Sequence, residues 1–198
     1  MSAGPILETE RLLLRPPVEE DLDGWAALMA DEDSSGFIGG PVGRAAAWRG
    51  IAAMAGSWAL KGFSMFSVVE KQSGRWIGRV GPWQPEGWPG TEVGWGLLKD
   101  SWGKGYAAEA AARTMDWAFD GLGWEDIIHC IDPRNGPSIA LAERLGSTNR
   151  GPGRLPAPFE HLKWRFGGSR AASGGRGAGA SRLRRPRPAR SRRFLRCG

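Results

Sequence analysis

With 198 residues, 41% of them apolar and eleven of them tryptophan, the chain is long enough for one domain with a buried core and too apolar to stay largely unfolded. Its net charge of +6 carries no argument for a nucleic-acid partner of the larger part: of 27 basic and 21 acidic side chains, ten arginines and no acid fall in residues 169–198, leaving 17 against 21, a net of −4, for residues 1–168. No apolar run nears the ~20 residues of a membrane span and no signal-peptide pattern opens the chain, while two cysteines and two histidines give no metal spacing; a cytoplasmic protein with no membrane partner and no metal is expected.

Residues 6–15 predict a strand that ends at Pro16-Pro17. Near Asp21 an amphipathic helix begins, with Leu22, Trp25, Ala26 and Met29 on one face. Residues 31–43, rich in acid, serine and glycine, read as loop. A second helix is predicted from Arg44 to Leu60, with Trp48, Ile51, Ala52, Ala55, Trp58 and Ala59 on its inner face. Phe63 to Glu70 and Arg75 to Gly81 form a hairpin, and Thr91 to Leu98 follows a Pro/Gly-rich turn to complete a meander of three strands. Two glycines inside that third strand, Gly94 and Gly96, mark a place where a ligand or another backbone comes close.

Gly103-Lys104-Gly105 then leads into a helix running to Asp120, with Ala108, Ala111, Met115, Phe119 and Leu122 in one stripe. Glycines at a helix start leave backbone N–H groups uncovered, and the helix dipole favours an anion there. A strand over Asp126 to Asp132, a helix from Pro137 to Leu145 and a final strand over His161 to Phe166 follow. The order implies an α/β fold with a mixed sheet. Its central strand–helix–strand unit needs a parallel pair, and the glycine turn lies at a strand's C-terminal end, where ligands bind in such sheets.

After residue 166 the composition changes to Arg, Gly, Ala, Ser and Pro. The reading is an ordered domain over residues 1–166 and a disordered tail over 167–198. The tail stays open between a nucleic-acid-binding or ribosome-binding arm, a solvated extension and an out-of-frame extension rich in GC-type codons.

Two readings compete for the glycine turn. Gly103-x-Gly105-x-x-Ala108 fits a dinucleotide fingerprint, with Asp132 as a ribose-binding acid, although Lys99 to Trp102 separate the motif from its strand. Alternatively, Trp102-Gly103-Lys104-Gly105-Tyr106-Ala107 resembles the pyrophosphate loop of the GNAT superfamily of N-acetyltransferases. Glu92 to Leu97 resembles that superfamily's acetyl-CoA strand, and residues 135–146 resemble its later helix motif. Thr9-Glu10-Arg11-Leu12-Leu13-Leu14-Arg15 resembles the opening of the ribosomal-protein-alanine acetyltransferase branch. The four segments occur in the family's order.

This resemblance implies a mostly antiparallel central sheet with helices on both faces and a parallel strand pair that splays apart. The pantetheine arm of acetyl-CoA would pair with the backbone of Leu97, Leu98 and Lys99, and its pyrophosphate would rest on Trp102, Gly103, Lys104, Gly105, Tyr106 and Ala107. Lys104 would add charge, Asn135 would bond the pantetheine, and a backbone N–H near Leu97 would serve the oxyanion. Glu92 is the candidate base for an attacking primary amine, against the reading of a solvated strand glutamate. Many members carry a tyrosine acid where Ala142 stands here, so Ser138 is the nearest hydroxyl for the leaving thiolate. Trp102 replaces a usual Arg or Gln, and Ser147 a usual phenylalanine. The acceptor would be a protein N-terminus or a small-molecule amine, with Trp83, Trp88 and Trp95 placed to line its groove, in a monomer or homodimer. A non-catalytic acyl-CoA-binding domain is the alternative.

Overall fold

A computed structural model describes residues 4–156, 159 and 165–168. Eight strands form one sheet: β1 (Leu7–Glu8), β2 (Leu12–Arg15), β3 (Phe66–Glu70), β4 (Trp76–Trp83), β5 (Glu92–Leu97), β6 (Ile127–Ile131), β7 (Ser147–Thr148) and β8 (Arg165–Gly168). Their spatial order is β1-β2-β3-β4-β5-β6-β8-β7. Every neighbouring pair is antiparallel except β5–β6. The helices are α1 (Leu22–Ala30), α2 (Glu32–Ser35), α3 (Arg44–Lys61), α4 (Tyr106–Asp120) and α5 (Gly136–Arg144). This is the mixed, mostly antiparallel α/β sheet the sequence implies.

The opening segment is two strands, not one. Thr9 turns the chain back: its Oγ1 accepts the Leu12 N–H at 2.9 Å while its own N–H donates to the Leu12 carbonyl at 3.0 Å. A threonine that offers the backbone a local partner ends a strand in this way. The acidic loop likewise holds a helical turn, α2, because the Asp31 carboxylate accepts the Ser34 N–H at 2.7 Å as its N-cap. On α3 the inward stripe is Ala47, Ile51, Met54 and Trp58, whereas Trp48 is 53% exposed. On α4 the stripe is Ala110, Ala111, Thr114, Met115, Ala118 and Phe119, with Ala108 at its margin. His161 to Trp164 and residues 169–198, including Cys197, lie outside the described residues.

Two apolar layers sandwich the sheet. Leu12, Leu14, Val68, Ile77, Val80 and Leu97 pack with Ala110 and Ala111 of α4. On the opposite face Trp25 and Leu28 of α1 and Ile51 and Met54 of α3 pack with Met65 and Trp76. Alternation along a strand assigns β5 to these layers: Val93 and Leu97 join the α4 side, which turns Glu92, Gly94 and Gly96 to the α1/α3 side.

Candidate active site

The parallel pair β5–β6 is joined at one register only, Glu92 opposite Ile128. Just before it, the Ile128 N–H donates to the Thr91 carbonyl at 2.9 Å. Beyond it the strands separate, and side chains take over the backbone groups that a ladder would have used. The Cys130 N–H donates to Glu92 Oε1 at 3.0 Å. Across the gap, His129 Nδ1 lies 2.6 Å from the Val93 carbonyl and Nε2 lies 3.1 Å from Ser147 Oγ. A carbonyl only accepts, so Nδ1 carries the proton and Nε2 accepts from the serine. Ser147 therefore faces a histidine whose Nδ1 proton the Val93 carbonyl places.

A cavity of about 170 Å³ opens at this split, lined among others by Met54, Met65, Arg79, Trp83, Trp88 and Glu92 on one side and by Trp95, His129, Asn135 and Ser138 on the other. The three tryptophans placed at an acceptor groove all line it. Glu92 is 6% exposed, not solvated. Burial pushes its carboxyl up to about 7, against the opposing pull of the Cys130 N–H, the Trp88 indole N–H at 2.6 Å and the Arg79 charge. A carboxyl poised near neutrality inside a cavity is a group that exchanges a proton at working pH.

On the far side the Trp95 indole N–H donates to Ser138 Oγ at 3.1 Å, which leaves that hydroxyl's own proton to be given elsewhere. Asn135 caps α5, its Oδ1 accepting the Ser138 N–H at 3.1 Å, and it also lines the cavity. Ala142 is buried beside Ile131. Asp132 pairs with Arg134 at 2.8 Å, and its carboxylate also accepts that residue's N–H.

The glycine turn sits at the other end of β5. Gly103 and Gly105 adopt φ of +72° and +81°, a region closed to most side chains, and Gly105 is the N-cap of α4 with no side chain bonded to it. The amides at the start of this 15-residue helix thus have no side-chain cap. Lys104 is exposed. Tyr106 turns its ring into the core and its hydroxyl donates to Glu70, so only its backbone can serve the loop; Ala107 packs partly against the same core.

Backbone groups expected to meet a pantetheine arm are partly engaged. The Leu97 carbonyl accepts from the Trp102 indole N–H at 2.8 Å, and the Leu98 N–H donates to the Ile77 carbonyl at 2.9 Å. Lys99 begins a 3-10 turn that separates loop from strand, and its ammonium pairs with Asp33 at 2.5 Å.

Side chains to which the sequence assigned no site role complete the arrangement. Arg11 Nη1 donates to the Lys104 carbonyl at 2.9 Å and its Nε to Glu109 Oε2 at 2.7 Å, bracing the glycine turn from the β1–β2 corner. Thr9 Oγ1 donates to the same carboxylate at 2.5 Å. The signal available in the sequence was a glutamate in the first turn of a helix. Arg79 was also legible, as the single charge inside the run Trp76-Ile77-Gly78-Arg79-Val80-Gly81.

The description "Acetyltransferase (GNAT) domain" matches residues 11–148. The chain belongs to the GNAT acetyltransferase family. It is 30% identical over 163 residues to an uncharacterized N-acetyltransferase, p20, of Bacillus licheniformis, covering 81% of this chain and 90% of that protein. Among solved structures, an acetyltransferase from Agrobacterium tumefaciens strain C58 is 33% identical with a TM-score of 0.73, over 82% of this chain and 94% of that one. A ribosomal-protein-S5-alanine acetyltransferase from Vibrio fischeri, 19% identical with a TM-score of 0.64 over 82% and 93%, shares the fold. As a GNAT acetyltransferase the chain is an acyl-transfer enzyme, and the dinucleotide reading of Gly103 to Ala108 falls away. Among the described residues no cluster of His, Cys, Asp and Glu is arranged for a metal, and no helix is long and apolar enough to cross a membrane.

Proposed function

We propose that this GNAT acetyltransferase transfers an acetyl group from acetyl-CoA to a primary amine by direct attack, with Glu92 as the base. The observation that carries this reading is the buried Glu92 carboxyl, held near neutrality at the β5–β6 split in a cavity of small-molecule size.

Acetyl-CoA, when bound, supplies a thioester carbonyl open to a neutral amine. The residues present suit it: uncapped amides between Gly103 and Ala107 favour a pyrophosphate, and the parted strands leave an opening toward the cavity. Leu97, Leu98 and Lys99 would flank the pantetheine arm, Trp102 and Lys104 would border the phosphates, and Asn135 would offer its amide N–H groups. Glu92 takes the proton that the acceptor ammonium must lose, directly or through one water. Ser138, held as a donor by Trp95, offers its hydroxyl proton toward the departing sulfur. The tryptophan-lined cavity holds the acceptor, a small-molecule amine or the first residue of a protein.

Release of coenzyme A thiol, followed across a panel of primary amines, tests the reading. Turnover with at least one amine, lost on Glu92→Gln while acetyl-CoA still binds, is the expected result. Binding without turnover throughout would instead leave a non-catalytic acyl-CoA-binding domain.

A further inference from the structure

Arg79 is a buried cation that the proposed chemistry does not use. It stands in the central strand β4, 9% exposed, and lines the same cavity as Glu92. Burial lowers its guanidinium to about 10, so it remains charged at neutral pH. Its partners are weak: Nη1 lies 2.9 Å from the Met65 sulfur, the Trp25 ring centroid is 5.3 Å from Cζ, and Nε has no hydrogen-bond partner. It forms no contact ion pair with a described carboxylate; the Glu92 charge acts on it from farther away. A thioether and an aromatic face are poor substitutes for a counter-ion, and a buried charge left in that state is costly.

The neighbouring strand leaves room beside it. Gly96 pairs with Arg79 in the sheet, and a Cβ there would lie 3.9 Å from Arg79 Nε. At Gly94, on the same face, a Cβ would lie 2.7 Å from Met65 Cε and 3.5 Å from Glu92 Oε1. At Gly94 the Met65 side chain already takes that space, so the room beside the guanidinium is at Gly96. The walls are aromatic and aliphatic: Phe37, Ile38, Trp83 and Trp88.

We propose that Arg79 is the anion anchor of the acceptor site, and that the acceptor is a free amino acid with an apolar or aromatic side chain. Its carboxylate would pair with the Arg79 guanidinium, whose Nε has no hydrogen-bond partner, its amine would face Glu92, and its side chain would lie on the tryptophans. The cavity, below the roughly 300–1,000 Å³ of common ligand pockets, suits a compact molecule of this kind. This inference rests on the acyl-transfer reading, which says nothing of a carboxylate.

Matched acceptors test it with the full chain: phenylalanine against phenethylamine and phenylalaninamide, and leucine against 3-methylbutylamine. The expected kcat/KM favours each amino acid by about ten- to hundredfold over its uncharged-end counterpart. Arg79→Met should collapse that ratio toward one, and Arg79→Lys should keep part of it. Thermal shift without acetyl-CoA separates the two readings: phenylalanine should raise the melting temperature of the wild type and not of Arg79→Met. That shift without turnover of any amine would keep the anchor and remove the transferase reading. Equal turnover of amino acids and decarboxylated amines would overturn the anchor and leave the transferase standing. Neither shift nor preference for a carboxylate overturns it as well.

Discussion

Glu92 Oε1 occupies the place of a strand carbonyl, accepting the Cys130 N–H at 3.0 Å where β5 and β6 part company. One strand lends a carboxylate to its neighbour's backbone, and the neighbour returns a histidine to the Val93 carbonyl at 2.6 Å. Two backbone groups left unpaired by the split, the Cys130 N–H and the Val93 carbonyl, are thereby satisfied by side chains. Burial at this split raises the proton affinity of Glu92 against the opposing pull of the Cys130 N–H, so the place where the sheet opens also prepares the base.

The first prediction concerns pH. Burial holds Glu92 near 7 in the folded chain against 4.5 for an ordinary glutamate. Activity as kcat/KM should rise with pH through about 7 as the carboxylate forms, and Glu92→Gln should remove that limb with a loss of about 10²–10⁴-fold. Stability runs the other way. Between pH 4.5 and about 7 the native chain keeps a proton that the unfolded chain has released, so stability falls by about 3 kcal/mol across that window. Urea unfolding at several pH values should show the fall in the wild type and not in Glu92→Gln; parallel curves for the two would remove Glu92 as its source.

A second prediction follows from His129. His129→Leu leaves the Val93 carbonyl buried without its donor and strands Ser147 Oγ, which should cost about 1–3 kcal/mol. Denaturant midpoints measure this. Ser147→Ala, which leaves the Nδ1 bond in place, should cost less. Equal losses would mean that the serine, not the carbonyl, carries the stabilisation.

Much of this fold was readable because its periodicities are strong. The β3–β4–β5 meander is three apolar runs parted by turn residues and α4 keeps its apolar stripe, so their positions followed from composition and spacing. What was not readable depended on single side chains bonding to backbone. Thr9 breaks a strand that its flanking leucines would have continued, and Asp31 starts a helical turn inside a segment of loop composition. The site divides in the same way. Gly103 and Gly105 announce themselves because positive φ selects glycine, whereas Glu92 gives no sign in sequence whether it faces solvent or a cavity. Arg79 was visible as a charge in an apolar strand, but its lack of a partner is a property of three dimensions.

The brace on the glycine turn yields a third prediction. Arg11 joins the Lys104 carbonyl to Glu109, whose carboxyl is held below its ordinary range by Thr9 and Arg11 in spite of partial burial. The Arg11 side chain is 43% exposed, so its ion pair should contribute at most about 1 kcal/mol to stability. Its larger effect should be on loop order: Arg11→Ala is expected to raise the KM for acetyl-CoA about three- to tenfold with kcat little changed. Arg11→Lys should not restore it, because an ammonium cannot span both acceptors as a planar fork does. Steady-state kinetics with acetyl-CoA varied decides the matter; an unchanged KM in Arg11→Ala would assign the network to folding alone.

Trp102 supplies the last prediction. Its indole N–H occupies the Leu97 carbonyl at 2.8 Å, at the end of the strand along which a pantetheine arm would lie. Bound cofactor that used this carbonyl would have to displace the indole, exchanging one hydrogen bond for another. Trp102→Phe keeps an aromatic ring and removes the donor, so the carbonyl becomes free. One hydrogen bond is worth about 0.5–1.5 kcal/mol net, and the dissociation constant for coenzyme A should therefore fall about two- to tenfold. Calorimetric titration reads this directly. Weaker binding in Trp102→Phe would show the indole to be part of the cofactor's own contact surface, and an unchanged constant would place the arm away from the Leu97 carbonyl.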